Sequence, residues 1–163
     1  MPRRRRRSDC PINFAVETFG DRWTLLVLRD LLLKGRSSYS EFLHAEEHIA
    51  SNILADRLKR LQEDGLVTRQ ADGGYRPTSK ALDLLPVLVE IILWSATHDA
   101  GTAAPAEFVE RARQDRDSLV AEMRSSCTTV ATQTQGPQPT DQARPASCDH
   151  SKNHAPAGSF GER

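Results

Sequence analysis

A chain of 163 residues, 38% of them hydrophobic, is long enough for one domain with a proper core and too short for two of ordinary size. Its three cysteines do not make a disulfide framework, and their spacing is not that of a zinc module, so neither a stapled secreted fold nor a metal or cofactor site is expected. The zero net charge conceals an asymmetry: residues 1–80 hold 15 basic against 11 acidic side chains and residues 81–126 hold 4 against 8, so the front of the chain is the part suited to face phosphate.

The chain opens on five arginines, Arg3, Arg4, Arg5, Arg6 and Arg7, and residues 1–9 read as a basic disordered arm. No apolar signal core follows the basic run, and later apolar stretches are short and interrupted. The expected location is the cytoplasm, where thiols stay reduced.

Residues 12–19 form a short apolar-rich helix that Gly20 can end. Asp21 is a good N-cap for a second helix over residues 22–34, rich in Leu25, Leu26, Val27, Leu28 and Leu31, with Gly35 as its stop signal. Ser38-Tyr39-Ser40-Glu41 fits a capping box and opens a short helix to about Ala45. After a break over residues 46–50, Ser51 is the N-cap candidate of a helix over 52–64. There Leu54, Leu58 and Leu61 fall at i, i+4 and i+7, and Gly65 closes it. A short helix, a tight turn and a longer helix make a helix-turn-helix.

Leu66, Val67 and Thr68 are strand-like, Asp72-Gly73-Gly74 is a turn, and Tyr75 starts the return strand of a very small hairpin. Thr78 caps a helix over residues 79–99, which Pro86 kinks or restarts. From Leu82 to Trp94 apolar residues occur on all sides, so this helix must be covered all round, one face by a second subunit. Residues 101–126 read as a linker and an additional charged helix, with Phe108, Ala112, Leu119, Val120 and Met123 apolar. From Cys127 to Arg163 only Val130 and Phe160 are large and apolar, and residues 127–163 are read as a disordered tail. The fold class is mainly α with a small β-hairpin.

Four passages in order carry a resemblance. They are Cys10-Pro11; Gly20-Asp21-Arg22-Trp23 with Leu26 and Leu28; Ser51-Asn52-Ile53-Leu54-Ala55-Asp56-Arg57-Leu58 followed by Leu61-Gln62-Glu63-Asp64-Gly65-Leu66-Val67; and Leu84-Leu85-Pro86-Val87-Leu88 before Trp94. Over residues 10–100 the chain resembles the HxlR-type winged helix-turn-helix regulators. The resemblance implies a winged helix joined into a homodimer by N- and C-terminal helices, acting on a pseudo-palindromic operator as a repressor. The family wing is usually longer; here only residues 70–74 intervene, which counts against minor-groove reading by the wing.

A helix of this length fits the major groove when its outward face is small, polar and charged. Opposite the leucine stripe stand Asn52, Asp56, Lys59 and Glu63. Asn52 suits adenine, Lys59 guanine or phosphate, and Asp56 cytosine. Arg57 and Arg60 flank this face and suit phosphates, and Ser51 sits at the helix N-terminus, where phosphate is favoured. Arg69 and Arg76 flank the wing and could touch the backbone. The plain alternative is an ordinary solvated helix face.

Cys10 matches the N-terminal cysteine through which several members of that family resemble redox or electrophile sensors. Arg7 would favour its thiolate and Asp9 would oppose it. The alternatives are a partly buried small residue in a constitutive regulator, or a winged helix used only as a protein-interaction module. Cys127 and Cys148 are weaker candidates for a disulfide partner, and Cys148-Asp149-His150 with His154 falls short of the four ligands of a closed metal site. Trp23 and Trp94 are read as core or interface packing. No Gly-rich phosphate loop, nucleophile elbow or carboxylate pair suggests catalysis.

Overall fold

The structure, a computed structural model, describes residues 7–133. The arginines at 3–6 and the Cys148, Asp149, His150 and His154 group lie outside the described residues.

In chain order the elements are α1 (Pro11–Phe19), α2 (Arg22–Leu33), α3 (Tyr39–Leu43), α4 (Ser51–Glu63), β1 (Val67–Arg69), β2 (Tyr75–Pro77), α5 (Ser79–Leu82), α6 (Leu85–His98), α7 (Ala106–Gln114) and α8 (Arg116–Gln133). The two strands pair antiparallel with Val67 opposite Pro77 and Arg69 opposite Tyr75. This is a three-helix core followed by a short hairpin, a winged helix.

Local chemistry sets these boundaries. The Asp21 carboxylate accepts from the N–H groups of Trp23 and Thr24, both at 3.1 Å, satisfying two donors that the first turn of α2 leaves open. At α3 the Ser38 hydroxyl accepts from the Glu41 N–H and the Glu41 carboxylate accepts from the Ser38 N–H, a reciprocal capping box. At the end of α4 Gly65 adopts φ +69°, which lets Leu66 N–H reach the Leu61 carbonyl at 2.9 Å and Gly65 N–H reach that of Gln62 at 3.0 Å. The chain thereby turns directly into the wing.

Three boundaries differ from the sequence expectation. Ser51 is the first helical residue of α4, not its cap: Ala50 holds the cap position, with its carbonyl accepting from Leu54. The helix over 79–99, by contrast, restarts at Pro86, one of the two outcomes the sequence offers, giving separate α5 and α6, because a proline there can donate no N–H to a preceding turn. The expected single helix after the linker is two: Asp115 breaks it by leaving helical backbone (φ −148°, ψ 81°), and its carboxylate accepts from the Ser118 N–H at 3.1 Å to start α8. α8 runs on to Gln133, past residue 127 where the sequence expectation ends the ordered part; at that point the Cys127 thiol donates to the Leu32 carbonyl at 3.3 Å, docking α8 on α2.

The main core joins Val27, Leu28 and Leu31 of α2, Phe42 of α3 and Leu54, Leu58 and Leu61 of α4 to Leu66, Val67 and Tyr75 of the wing. Phe42 and Tyr75 meet edge to face with ring centroids 6.1 Å apart. A second layer packs Leu32, Leu85 and Leu88 against Val120 and Met123, and a third packs Val89 against Ala112 and Leu119. α7 and α8 therefore fold back over α6. Residues 79–98 have the length and composition of a membrane-crossing helix, but the chain breaks at Asp83 and buries Leu85, Leu88 and Val89 inside this fold. The opposite side of α6 is uncovered: Val87, Ile91 and Trp94 share one face, with Trp94 66% exposed, and Ile12 and Val16 of α1 are exposed as well.

Candidate nucleic-acid interface

The outward face of α4 is held at a fixed angle by contacts at both ends and the middle. At its start, the Tyr39 hydroxyl donates to the Ser51 carbonyl at 2.8 Å. In its middle, Arg57 Nε donates to Asp21 Oδ1 at 2.8 Å, linking α4 to the cap of α2. At its end, Lys80 Nζ donates to the Asp64 carbonyl at 2.6 Å, and the Thr78 hydroxyl donates to that of Gly65 at 2.8 Å.

The turn between α3 and α4 is anchored by charge. Arg29 donates to the carboxylates of Asp30 and Glu47, and Arg36 to those of Asp30 and Glu46, with Lys34 on Glu46 at 2.9 Å. Asp30 is buried, so removing its arginines would strand a charge in the interior. The Arg29 bond holds Glu47 below the usual carboxylate range, and Arg36 and Lys34 hold Glu46 far below it. At Asp21 burial alone would raise the carboxyl, but the Thr24 and Arg57 bonds outweigh it and the net shift is down.

On this frame the side chains singled out from the sequence fall into distinct places. Ser51, Asn52, Asp56, Lys59 and Arg60 are exposed on α4, and Lys59 has 75% of its side chain in solvent. Asp56 accepts from Arg60 Nε at 3.0 Å and from Arg57, so its carboxylate is shared with two arginines of its own helix. Arg57 stands apart from the reading face: only 18% of its side chain is exposed, and its guanidinium spans Asp21 and Asp56. In the wing, Arg69 is exposed on β1, while Arg76 on β2 is half-buried. Cys10 is exposed at the cap position of α1, remote in sequence from α4 but next to the helix whose apolar side is open.

Sequence reasoning passed over Ala55 and Gln62, which are exposed on the same face as Asn52 and Lys59. The three-residue spacing from Asn52 was the available signal for Ala55; its methyl suits a thymine methyl. The charge cluster around Asp30 was also missed, since its members come from separate segments. Trp23 packs against the main core with Arg22 stacked 4.8 Å from its ring centre, whereas Trp94 lies open beside His98.

A polar helix face of α4, small side chains at its start and cations at its middle, is what a duplex groove requires. The family model described as HxlR-like helix-turn-helix matches residues 18–101, from the end of α1 through α6. Among individual proteins, the HTH-type transcriptional regulator YvaP of Bacillus subtilis (strain 168), itself uncharacterised, is 32% identical over 93 residues, which span 53% of this chain and 85% of YvaP. YdzF of the same organism, another HTH-type transcriptional regulator, is 25% identical over 95 residues, covering 55% and 87%. Among solved structures, quinone-bound YodB from B. subtilis superposes with a TM-score of 0.48 and 30% identity, over 54% of this chain and 98% of that one.

Proposed function

Because the chain belongs to the HxlR-like helix-turn-helix family, a family of DNA-binding transcriptional regulators, we propose that it is a cytoplasmic homodimeric repressor that reads a pseudo-palindromic operator through α4. The observation that carries this reading is the exposed polar face of a rigidly braced α4, with Asn52 and Lys59 foremost.

In this reading Asn52 and Lys59 address base edges, Ala55 and Gln62 line the same groove, and Ser51, Arg60, Arg69 and Arg76 address phosphates. Asp56 sets the reach of Arg60, and Arg57 orients the helix from within rather than contacting DNA. The arginine arm, described only at Arg7, adds salt-dependent affinity along the backbone.

Dimerisation is supported by the open apolar face of Val87, Ile91 and Trp94 together with the exposed Ile12 and Val16. Exposed apolar surface of this kind marks an association site. A two-fold dimer presents two copies of α4 to half-sites one helical turn apart, or a multiple of that. Cys10, exposed at the base of α1, is the proposed oxidant- or electrophile-responsive group; its modification would act on the dimer helices rather than on α4 itself.

Footprinting of the purified protein on the intergenic DNA flanking its own gene tests the reading. Two protected half-sites with dyad symmetry are expected; absence of any protected stretch at low salt contradicts it.

A further inference from the structure

A cavity of about 1020 Å³ lies beside the wing, and no residue of α4 lines it. Its apolar walls are Leu25 and Leu32 of α2, Leu88 and Ile92 of α6, Phe108 of α7 and Met123 of α8. Pro77 of the wing and Pro105 before α7 contribute as well, so it is a concave space between several elements rather than the open side of one helix. Val87 and Trp94 of the open α6 face are not among its lining residues, and only Ile91 lies on both. The far wall, α7 and α8, lies beyond residue 101, where the family match ends.

Charged groups also line this cavity, and each already has a partner. Arg29 donates to Glu47 at 2.8 Å, Lys34 to Glu46 at 2.9 Å, and Arg36 to Asp30 at 2.9 Å and Glu46 at 3.0 Å. Between α7 and α8, Arg111 pairs with Glu122 at 2.8 Å. Arg76 is engaged too, and the Asp72 carboxylate accepts from the Gly74 N–H at 2.8 Å. An ion entering this space would lose its hydration and find no opposite charge free to replace it. A neutral molecule meets no such cost and gains by burying apolar surface. In the α6 wall, the Ser95 hydroxyl has no partner among the described residues and offers one hydrogen bond. Small-molecule sites combine apolar walls with a few placed polar groups in roughly 300–1,000 Å³, and this space reaches the upper end of that range.

We propose that this cavity is a binding site for a neutral, largely apolar small molecule, held between α2, α6 and the C-terminal helices with a single polar group toward Ser95. Because the α2 leucines and Pro77 share its wall with α7 and α8, an occupant fixes the C-terminal helices against the winged helix. Its role as an effector rests on the regulator reading above; the binding itself does not.

Fluorescence titration of the full chain without DNA tests it, with N-phenyl-1-naphthylamine as the neutral probe. The control is 8-anilino-1-naphthalenesulfonate, the same skeleton carrying one added charge. Saturable binding of one neutral probe per chain is expected, with the sulfonate at least tenfold weaker. Ser95→Trp and, separately, Met123→Trp place an indole in the space and should weaken the neutral probe at least tenfold while the protein still unfolds cooperatively. Trp94→Glu, on the open α6 face and outside the cavity, should leave its affinity unchanged. Absence of saturable binding, a sulfonate that binds as tightly, loss of binding in Trp94→Glu, or wild-type affinity in a folded tryptophan variant overturns the proposal. The wild-type comparison of the two probes stands even if neither tryptophan variant folds. A chain that binds promoter DNA but not the neutral probe sinks the cavity and leaves the regulator reading intact; one that binds the probe but no DNA does the reverse.

Discussion

Arg57, in the middle of α4, donates its Nε to Oδ1 of Asp21, the residue that caps α2, at 2.8 Å. One carboxylate thus serves two helices: it closes the first turn of α2 and fixes the rotation of α4 against it. Arg57→Ala is therefore expected to cost about 1 kcal/mol of stability and to weaken operator binding without altering its salt dependence. Denaturant midpoints give the first quantity, and affinities measured across a salt series give the second. A salt slope reduced by about one unit would instead place Arg57 on a phosphate.

Lys59→Ala should behave in the opposite manner. Its side chain is free in solvent apart from a long 3.9 Å approach to Glu63, so its removal leaves the melting temperature nearly unchanged. Operator affinity should fall well beyond affinity for random duplex, as the loss of a base-edge contact requires. Thermal unfolding and fluorescence anisotropy on the same preparation separate the two effects.

Acid should loosen the fold through the carboxylates that brace α4. Asp21, Glu46 and Glu47 are held below their ordinary values, the first by the Thr24 and Arg57 bonds despite burial, the others by arginine and lysine partners. A depressed carboxylate contributes stability that is complete above its unfolded pKa, about 4, and is lost as pH falls through the lower folded value. The melting temperature should be insensitive to these groups from pH 7 to 5 and fall below about pH 4. Asp21→Asn keeps the cap but removes the ion pair, and should flatten that acid limb.

The two described cysteines should differ in reactivity. Burial pushes the Cys127 thiol up, and it is engaged with the Leu32 carbonyl, while Cys10 is exposed. Brief iodoacetamide treatment near neutral pH, followed by peptide mass spectrometry, should find the Cys10 peptide alkylated well before that of Cys127. Equal rates would mean that α8 does not stay docked on α2.

Trp94→Glu on the open face of α6 should convert a dimer to monomer and weaken operator binding, with the monomer still folded because Trp94 contributes little to the internal core. Sedimentation of the two proteins at matched concentration checks this; unchanged mass rejects this face as the dimer contact.

Much of the fold was legible in the chain because its signals are local. The Asp21 cap, the Ser38/Glu41 box, Gly65 at the end of α4 and the Asp72-Gly73-Gly74 turn each act within a few residues, and each element starts or stops where they stand. What escaped depends on packing between distant segments. Arg57 reads from spacing as a flank of the exposed face, yet Asp21, 36 residues earlier, draws it inward. Ser51 looks like a cap, but the bond that matters there uses its carbonyl, bound by Tyr39. The length of α8 was misjudged because residues 127–133 are polar, and nothing in their composition shows that Leu32 offers a carbonyl to Cys127.

If the outward face of α4 reads DNA, Asn52 and Lys59 must carry the preference for operator over random duplex. Fluorescence anisotropy of a labelled duplex carrying a footprinted site, with wild type and the Asn52→Ala/Lys59→Ala double variant compared at one salt concentration, tests it most directly. At least a tenfold loss of affinity for that site is expected, with binding to random duplex much less affected and the fold intact. Wild-type affinity in the double variant would show that α4 is not the element that reads the operator.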